Sequence, residues 1–289
     1  MPQQLPQSCS SLASAQQAAN CCSKAAKSEA HIGSADWADR ENPHTIVLFD
    51  VDGTLSPSRK TASPEMIQLL KRLKKKVVIG YVGGSDLAKQ VEQLGADAAT
   101  SLFDFGFSEN GATAFRRGVQ ICNESFVGFL GEERYKELVN WTLRYLADID
   151  IPVKRGTFIE FRNGMINVSP IGRSCTYDER LQFAKLDEEK KIRETMVKAY
   201  QHKFAHFGLQ FSIGGQISID IFPKGWDKTY CLKHLAEEGF VEIHFFGDKT
   251  EKGGNDYEIF SHPMVKGHAV KAPEDTMVLV KELFGLQDN

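Results

Sequence analysis

Two short stretches near the start of the chain, "HTIVLF" (His44–Phe49) and "VVIGYV" (Val77–Val82), run apolar without a hydrophobic–polar alternation, the pattern of strands covered on both faces. Between them, "SPEMIQLLKRLKKK" sets Met66, Leu69, Leu70 and Leu73 on one helical face. Ser63 suits the N-cap of that helix and Pro64 its first turn, while the lysines crowd the last turn, where the helix dipole favours them. "GGSDLAKQVEQLG" predicts a second helix, closed by Gly95. "EIHFFGD" (Glu242–Asp248) repeats the buried-strand pattern, and "HAVKAP" starts a last short strand. Strand, helix, strand, helix is the order of a parallel sheet with crossover helices.

The middle of the chain has another rhythm. It predicts a helix over 132–147, the alternating "TFIEFRNGMINVSP", a charged helix over 187–207, and "LQFSIGGQISIDIFP". Asn163-Gly164 and Gly214-Gly215 are hairpin turns between apolar runs. The fold class expected is therefore α/β: a Rossmann-like parallel-sheet core with helices on both faces, interrupted by an inserted α+β cap of antiparallel sheet and helices. The expected boundaries are 43–120 and 227–289 for the core, 121–226 for the cap, and 1–42 for a disordered extension rich in Ser, Ala and Gln.

Composition narrows the function little, but it excludes some classes. The 289 residues carry a net charge of -3, which gives no electrostatic basis for nucleic acid or an anionic membrane as the main partner. No apolar run approaches the ~20 residues that a membrane-crossing helix needs. The first 42 residues lack the apolar h-region of a secretory signal. The six cysteines show no paired metal spacing and read as reduced thiols of a cytoplasmic protein.

The chemistry lies where the apolar strands stop. One ends in Asp50-Val-Asp52, one in Gly83-Gly84-Ser85, and one in Gly247-Asp248-Lys249. In open α/β sheets, ligands bind beyond the carboxyl ends of the strands. Parallel strands therefore gather Asp50, Asp52, Ser85 and Asp248 around one point, with Lys228 of "GWDK" as a fourth corner. Carboxylates so close do not all stay ionised without a cation, and an all-oxygen set suits Mg²⁺. Asp50 and Asp52, two apart in an extended segment, share a face, so one can attack a phosphorus while the other moves a proton. In "FIEFRNG", alternation puts Phe158, Glu160 and Arg162 on one face, opposite Ile159 and Phe161.

"DVDGTL", a Ser after the second strand, a distant Lys and "GDKTEKGGND" resemble the four motifs of haloacid dehalogenase-type phosphotransferases. "ENGATAF", "RGTFIEFRNGMINVSPIGRSC", "GGQISIDIFPKGWDKTYCL" and "FFGDKTEKGGNDYEIF" narrow this to the eukaryotic phosphomannomutases, a resemblance running from about Thr45 to the C-terminus. It implies that Asp50 is the nucleophile that becomes an aspartyl phosphate and Asp52 the acid/base. The Asp50 side chain, the Asp52 carbonyl and Asp248 would be the Mg²⁺ ligands. It further implies Arg59 near the substrate, Arg162, Arg173 and Arg180 on its non-reacting phosphate, and Ser218 and Asp220 at the sugar. A hexose 1,6-bisphosphate activator and a homodimer formed through the caps belong to the same pattern. "FSHPMVKGHAV" departs from it. His262 and Val265 stand where the family has Asp and Thr, and only the Phe260 carbonyl matches, which counts against a second, structural cation site. The function expected is interconversion of mannose 6-phosphate and mannose 1-phosphate, supplying GDP-mannose synthesis. The alternatives are a sugar-phosphate phosphatase on the same scaffold and a catalytically idle partner-binding protein.

Overall fold

A computed structural model describes residues 34–58, 60–96 and 101–287. In chain order the elements are β1 (Asn42–Phe49), α1 (Pro64–Lys76), β2 (Val77–Val82), α2 (Leu87–Leu94), β3 (Phe105–Ser108), β4 (Thr113–Arg116), β5 (Val119–Asn123), α3 (Phe126–Leu130) and α4 (Glu132–Asp148). They continue with β6 (Ile159–Phe161), β7 (Ile166–Val168), α5 (Tyr177–Lys190), α6 (Ile192–Lys203), β8 (Leu209–Gly214) and β9 (Ser218–Pro223). The chain closes with β10 (Glu242–Gly247), α7 (Tyr257–Phe260), β11 (Val265–Ala269) and α8 (Pro273–Phe284).

The core sheet has the order β11-β10-β1-β2-β3-β4-β5. The pairs from β11 to β3 are parallel and the last two antiparallel. Both faces of β1 are covered, which is why its sequence does not alternate. Val47 and Phe49 pack with Leu69, Leu73 and Val280 of α1 and α8, while Ile46 and Leu48 pack on the opposite side with Cys231, Leu235 and Ile259. The Ser63 hydroxyl accepts from the Met66 amide at 3.2 Å and caps α1, whose four expected apolar residues are all buried. Register then builds the site. Phe49 stands opposite Tyr81 of β2 and Phe246 of β10, so Asp50, Val82 and Gly247 follow at one level.

The cap sheet, order β6-β7-β9-β8, is antiparallel throughout. One face is apolar: Ile166, Val168, Ile219 and Ile221 pack on Leu138 and Leu146 of α4 and Met196 and Tyr200 of α6. The other carries a polar row set by register, Glu160 opposite Asn167, Asn167 opposite Asp220, and Asp220 opposite Ser212.

Four expectations need correction. The charged helix over 187–207 is two helices, because Lys191 adopts a left-handed φ of 53°. Across the break, the Asp187 carboxylate accepts from the Arg193 amide at 2.7 Å, and the Arg193 guanidinium donates to the Gly215 and Ser218 carbonyls at 2.9 and 3.1 Å. The last strand begins at Val265 rather than His268, as an edge strand parallel to β10. β5 belongs to the core sheet, so the first crossing into the cap falls after Asn123 rather than at 120. Finally, part of the stretch expected as an extension folds. Trp37 is 1% exposed, donates to Glu238 at 3.2 Å and lies under the Arg116 and Arg117 guanidinium groups. The rest of that expectation, residues 1–33, lies outside the described residues.

Candidate active site

Asp50 leaves β1 directly into the site, its amide donating to the Phe246 carbonyl at 2.9 Å. It is 4% exposed. Gly53 turns the chain with φ +85°; a Cβ there would stand 2.5 Å from an Asp248 carboxylate oxygen, so only glycine lets the loop pass so close. Lys228, 1% exposed, donates to Oδ1 of both Asp50 and Asp256. Asp50, Asp248 and Asp256 each place an oxygen within 4.8 Å of the others, the one such cluster of acidic, imidazole or thiol ligands among the described residues.

The electrostatics follow from burial. The Asp50 carboxyl is pushed up to about 6, first by desolvation and then by Asp256 and Asp248, against the pull of Lys228. Burial also raises the Asp248 carboxyl, with Asp256 adding to it. Burial alone would lower the Lys228 ammonium, but Asp50 and Asp256 overcome it and hold it above the ordinary lysine range. Asp248 Oδ1 is buried with no hydrogen-bond donor on it among the described residues. Crowded carboxylates, a bare buried oxygen and an all-oxygen donor set together fit a hard divalent cation.

Asp52 is held from α2. Its Oδ1 accepts from Gln93 Nε2 at 2.7 Å and its Oδ2 lies 3.5 Å from Lys89 Nζ, which also reaches the Ser85 hydroxyl at 3.3 Å. Asp50, Asp52 and Ser85 line one small cavity of about 110 Å³, with Gly84, Lys249 and Asn255. The last three also line a larger cavity of about 590 Å³, whose far wall comes from the cap and includes Arg162, Ser212 and Asp220. Glu109 ties the two walls. Its carboxylate accepts from the Gly164 amide at 3.0 Å and from Asn163 Nδ2 at 3.2 Å, the turn next to Arg162.

The expected cap residues are not equally placed. Arg162 and Asp220 line the cavity. Arg173 stands one step back, with Nε 2.7 Å from Glu160 and Nη1 donating to Asn167 Oδ1 at 2.6 Å. Ser218 is buried and its carbonyl is taken by Arg193, while Arg180 sits on α5; neither lines either cavity. Burial raises the Asp220 carboxyl, opposed by a hydrogen bond from Asn167 and by the charges of Arg162 and Arg173. Arg59 lies outside the described residues. At the doubted second cation site, His262 Nδ1 accepts from the Met264 amide at 3.3 Å, and the Val265 amide donates to the His262 carbonyl.

Asp256 was missed from sequence, although it stands in the quoted "GDKTEKGGND". The signal was the Gly253-Gly254 turn, which folds the chain back so that the Lys249 amide donates to Asp256 Oδ2 at 3.0 Å.

A parallel core, an inserted antiparallel cap and paired aspartates at the first strand end define a haloacid dehalogenase-type phosphotransfer fold. Solved structures share that fold at low identity. A trehalose-6-phosphate phosphatase from Aspergillus fumigatus superposes with a TM-score of 0.55 at 16% identity, over 88% of this chain and 99% of that one. A haloacid dehalogenase-like hydrolase from Bacteroides thetaiotaomicron gives 0.51 at 13% identity, over 83% and 100%. The sequence is more specific. The family model for eukaryotic phosphomannomutase matches residues 66–286, and the phosphomannomutase of Schizosaccharomyces pombe is 58% identical over 250 residues, 86% of this chain and 97% of its own. The chain belongs to the eukaryotic phosphomannomutase family.

Proposed function

We propose that the protein is a phosphomannomutase that interconverts mannose 6-phosphate and mannose 1-phosphate through an aspartyl phosphate on Asp50. The observation that carries this reading is that the two cavities share Gly84, Lys249 and Asn255 as a common wall, with an aspartate pair lining one and Arg162 the other. Hydrolysis needs only the first. A mutase must also hold a second phosphate, whichever of the two is not reacting, and a guanidinium suits that dianion.

An Asp50 carboxylate oxygen attacks one phosphorus of a hexose 1,6-bisphosphate. The bond from that phosphorus to the sugar oxygen breaks, and Asp52 gives the oxygen its proton. When a hexose monophosphate follows, Asp52 takes the proton from its free hydroxyl. The hydroxyl oxygen attacks the phosphorus, and the acyl-phosphate bond breaks to restore the Asp50 carboxylate. The new bisphosphate turns around and donates its other phosphate. Lys228, bonded to Asp50 Oδ1, leaves Oδ2 for attack and favours the ionised carboxyl that attack requires. Ser85 is the hydroxyl donor to the transferring group. Asp50, the Asp52 carbonyl and Asp248 would hold Mg²⁺, which when bound supplies the positive charge that the crowded carboxylates and the phosphoryl group need. Asp256 acts through Lys228.

Arg162, with Arg173 beside it, takes the distal phosphate, and Asp220 faces the sugar; Arg59, Arg180 and Ser218 are kept as substrate contacts of the loaded, closed cap. The core is residues 43–123 and 227–289 and the cap the part between. Mannose 1-phosphate made in this way supplies GDP-mannose synthesis, by a cytoplasmic enzyme that pairs through its cap. Among the described residues no helix is long and apolar enough to cross a membrane.

The test is a coupled assay on mannose 1-phosphate and glucose 1-phosphate, with and without hexose bisphosphate, while free phosphate is followed. Isomerisation that needs the bisphosphate and releases little phosphate is the expected result. Phosphate release that keeps pace with turnover would make the protein a phosphatase. Asp50→Asn should abolish acid-stable phosphoenzyme, since an amide is a poor nucleophile; labelling that persists moves the nucleophile elsewhere.

A further inference from the structure

The polar row of the cap sheet contains a carboxylate where the proposed chemistry calls for cations alone. Glu160 of β6 stands two residues before Arg162, which follows the strand directly. Its Oε2 accepts from Arg162 Nη2 at 3.0 Å and lies 2.7 Å from Arg173 Nε. One oxygen thus spans both guanidinium groups assigned to the distal phosphate. Arg173 Nη1 donates to Asn167 Oδ1, and Asn167 Nδ2 donates to Asp220 Oδ1 at 2.6 Å, so the row is a continuous hydrogen-bonded chain. Its carboxylate is not locked in. The Glu160 side chain is 35% exposed and those of Arg162 and Arg173 37% and 33%, so all three can exchange partners with a solute.

We propose that Glu160 is a built-in stand-in for the distal phosphate, a positioning residue that pairs Arg162 and Arg173 between binding events and takes them back when the phosphate leaves. This rests on the reading of Arg162 as a distal-phosphate ligand and goes beyond it. The physical reason lies in the cycle. Each turnover must release a phosphate from the arginines so that the bisphosphate can turn around. Two guanidinium groups without a counter-ion would hold a dianion tightly and be bared when it left. A carboxylate two positions away lowers the affinity for the phosphate and replaces it as it goes, trading binding for release.

The experiment compares wild type, Glu160→Gln, Glu160→Asp and Arg162→Ala. The readouts are the Kd for mannose 6-phosphate by calorimetry without bisphosphate, and kcat and KM for mannose 1-phosphate at saturating glucose 1,6-bisphosphate. Glu160→Gln keeps the shape and removes the charge. It should tighten mannose 6-phosphate by about two- to tenfold, the scale of two partly exposed ion pairs, and lower KM and kcat together. Glu160→Asp should sit between it and wild type. A purely structural role predicts weaker binding in Glu160→Gln with a lower melting temperature. Unchanged or weaker binding in a folded Glu160→Gln overturns the inference, as does tighter binding with kcat unchanged. The parent reading fails separately: Arg162→Ala that binds mannose 6-phosphate as well as wild type removes Arg162 from the phosphate site, whatever Glu160→Gln does.

Discussion

The acidic cluster of the core and the polar row of the cap are both networks of opposite charges, but they are built for different uses. In the core, Asp50, Lys228 and Asp256 are 4%, 1% and 0% exposed, and Lys228 bridges the two carboxylates. In the cap, Glu160, Arg162 and Arg173 are about one-third exposed and pair directly at the edge of solvent. Buried charges cost several kcal/mol if they lose a partner, so they hold one arrangement. Half-exposed pairs are worth little each and can be exchanged for a ligand. Fixed chemistry at one end of the cavity and exchangeable binding at the other is the division of labour a mutase needs.

The contrast is broken most severely at Lys228. Lys228→Met leaves Asp50 and Asp256 buried without their shared cation and should destabilise the metal-free protein by about 3–5 kcal/mol. The sign of the pH effect follows from the raised carboxyl of Asp50. The folded state binds that proton more tightly than the unfolded chain does, so the stability it contributes is present at low pH and is lost as pH rises through about 6. Without Lys228 that carboxyl climbs further, so the deficit should be smaller at pH 5 than at pH 7.5, and added Mg²⁺ should recover part of it. Thermal unfolding with and without Mg²⁺ at both pH values measures this. A variant as stable as wild type at pH 7.5 without metal would show that the cluster does not depend on its lysine.

At the cap the equivalent change is milder. Arg162→Ala removes one charge-assisted contact, about 1.5–3 kcal/mol, or roughly ten- to over a hundredfold in kcat/KM, with little loss of stability. The ratio of phosphatase to mutase activity should rise, because water needs only the core while a sugar phosphate needs both ends. Free-phosphate release from a hexose bisphosphate, set beside mutase turnover in one preparation, tests it. An equal fall in both activities would mean that Arg162 does not distinguish sugar from water.

The two regions also differ in how far they were legible in the sequence. The core site was readable because a parallel sheet converts strand ends into neighbours. Asp50, Asp52 and Ser85 follow apolar runs and do line one cavity, with Lys228 bonded to Asp50. Asp256 escaped the rule, since it is placed by a turn and not by a strand end. Alternation along "FIEFRNG" correctly put Glu160 and Arg162 together, but it did not say that Glu160 would bridge to Arg173, a loop residue whose position depends on tertiary packing. The break at Lys191 was hidden because α5 and α6 are charged on most faces, leaving no periodicity to interrupt; its cause, Arg193 reaching the β8–β9 turn, is a long-range contact. The β3–β5 meander was missed because strands of four and five residues carry too few positions to show a period.

The smallest effect belongs to Asp220, where the two regimes meet. Its carboxyl lies on the cap row but is largely desolvated, and burial raises its pKa despite the Asn167 hydrogen bond and the two arginines. The folded protein therefore binds this proton more tightly than the unfolded chain. The contribution is favourable below the ordinary aspartate range and is lost as pH rises through the folded value, leaving a net cost at neutral pH. Asp220→Asn keeps an oxygen to accept from Asn167 and removes the charge. The variant should melt about 1–3 °C above wild type at pH 7, a fraction of a kcal/mol in a chain of this size, and the gain should shrink towards zero near pH 4. Calorimetric unfolding of both proteins at the two pH values decides it. If Asp220→Asn melts below wild type at pH 7, the arginines hold the Asp220 carboxylate more strongly than burial penalises it, and the cap row would be a fixed network like the core after all.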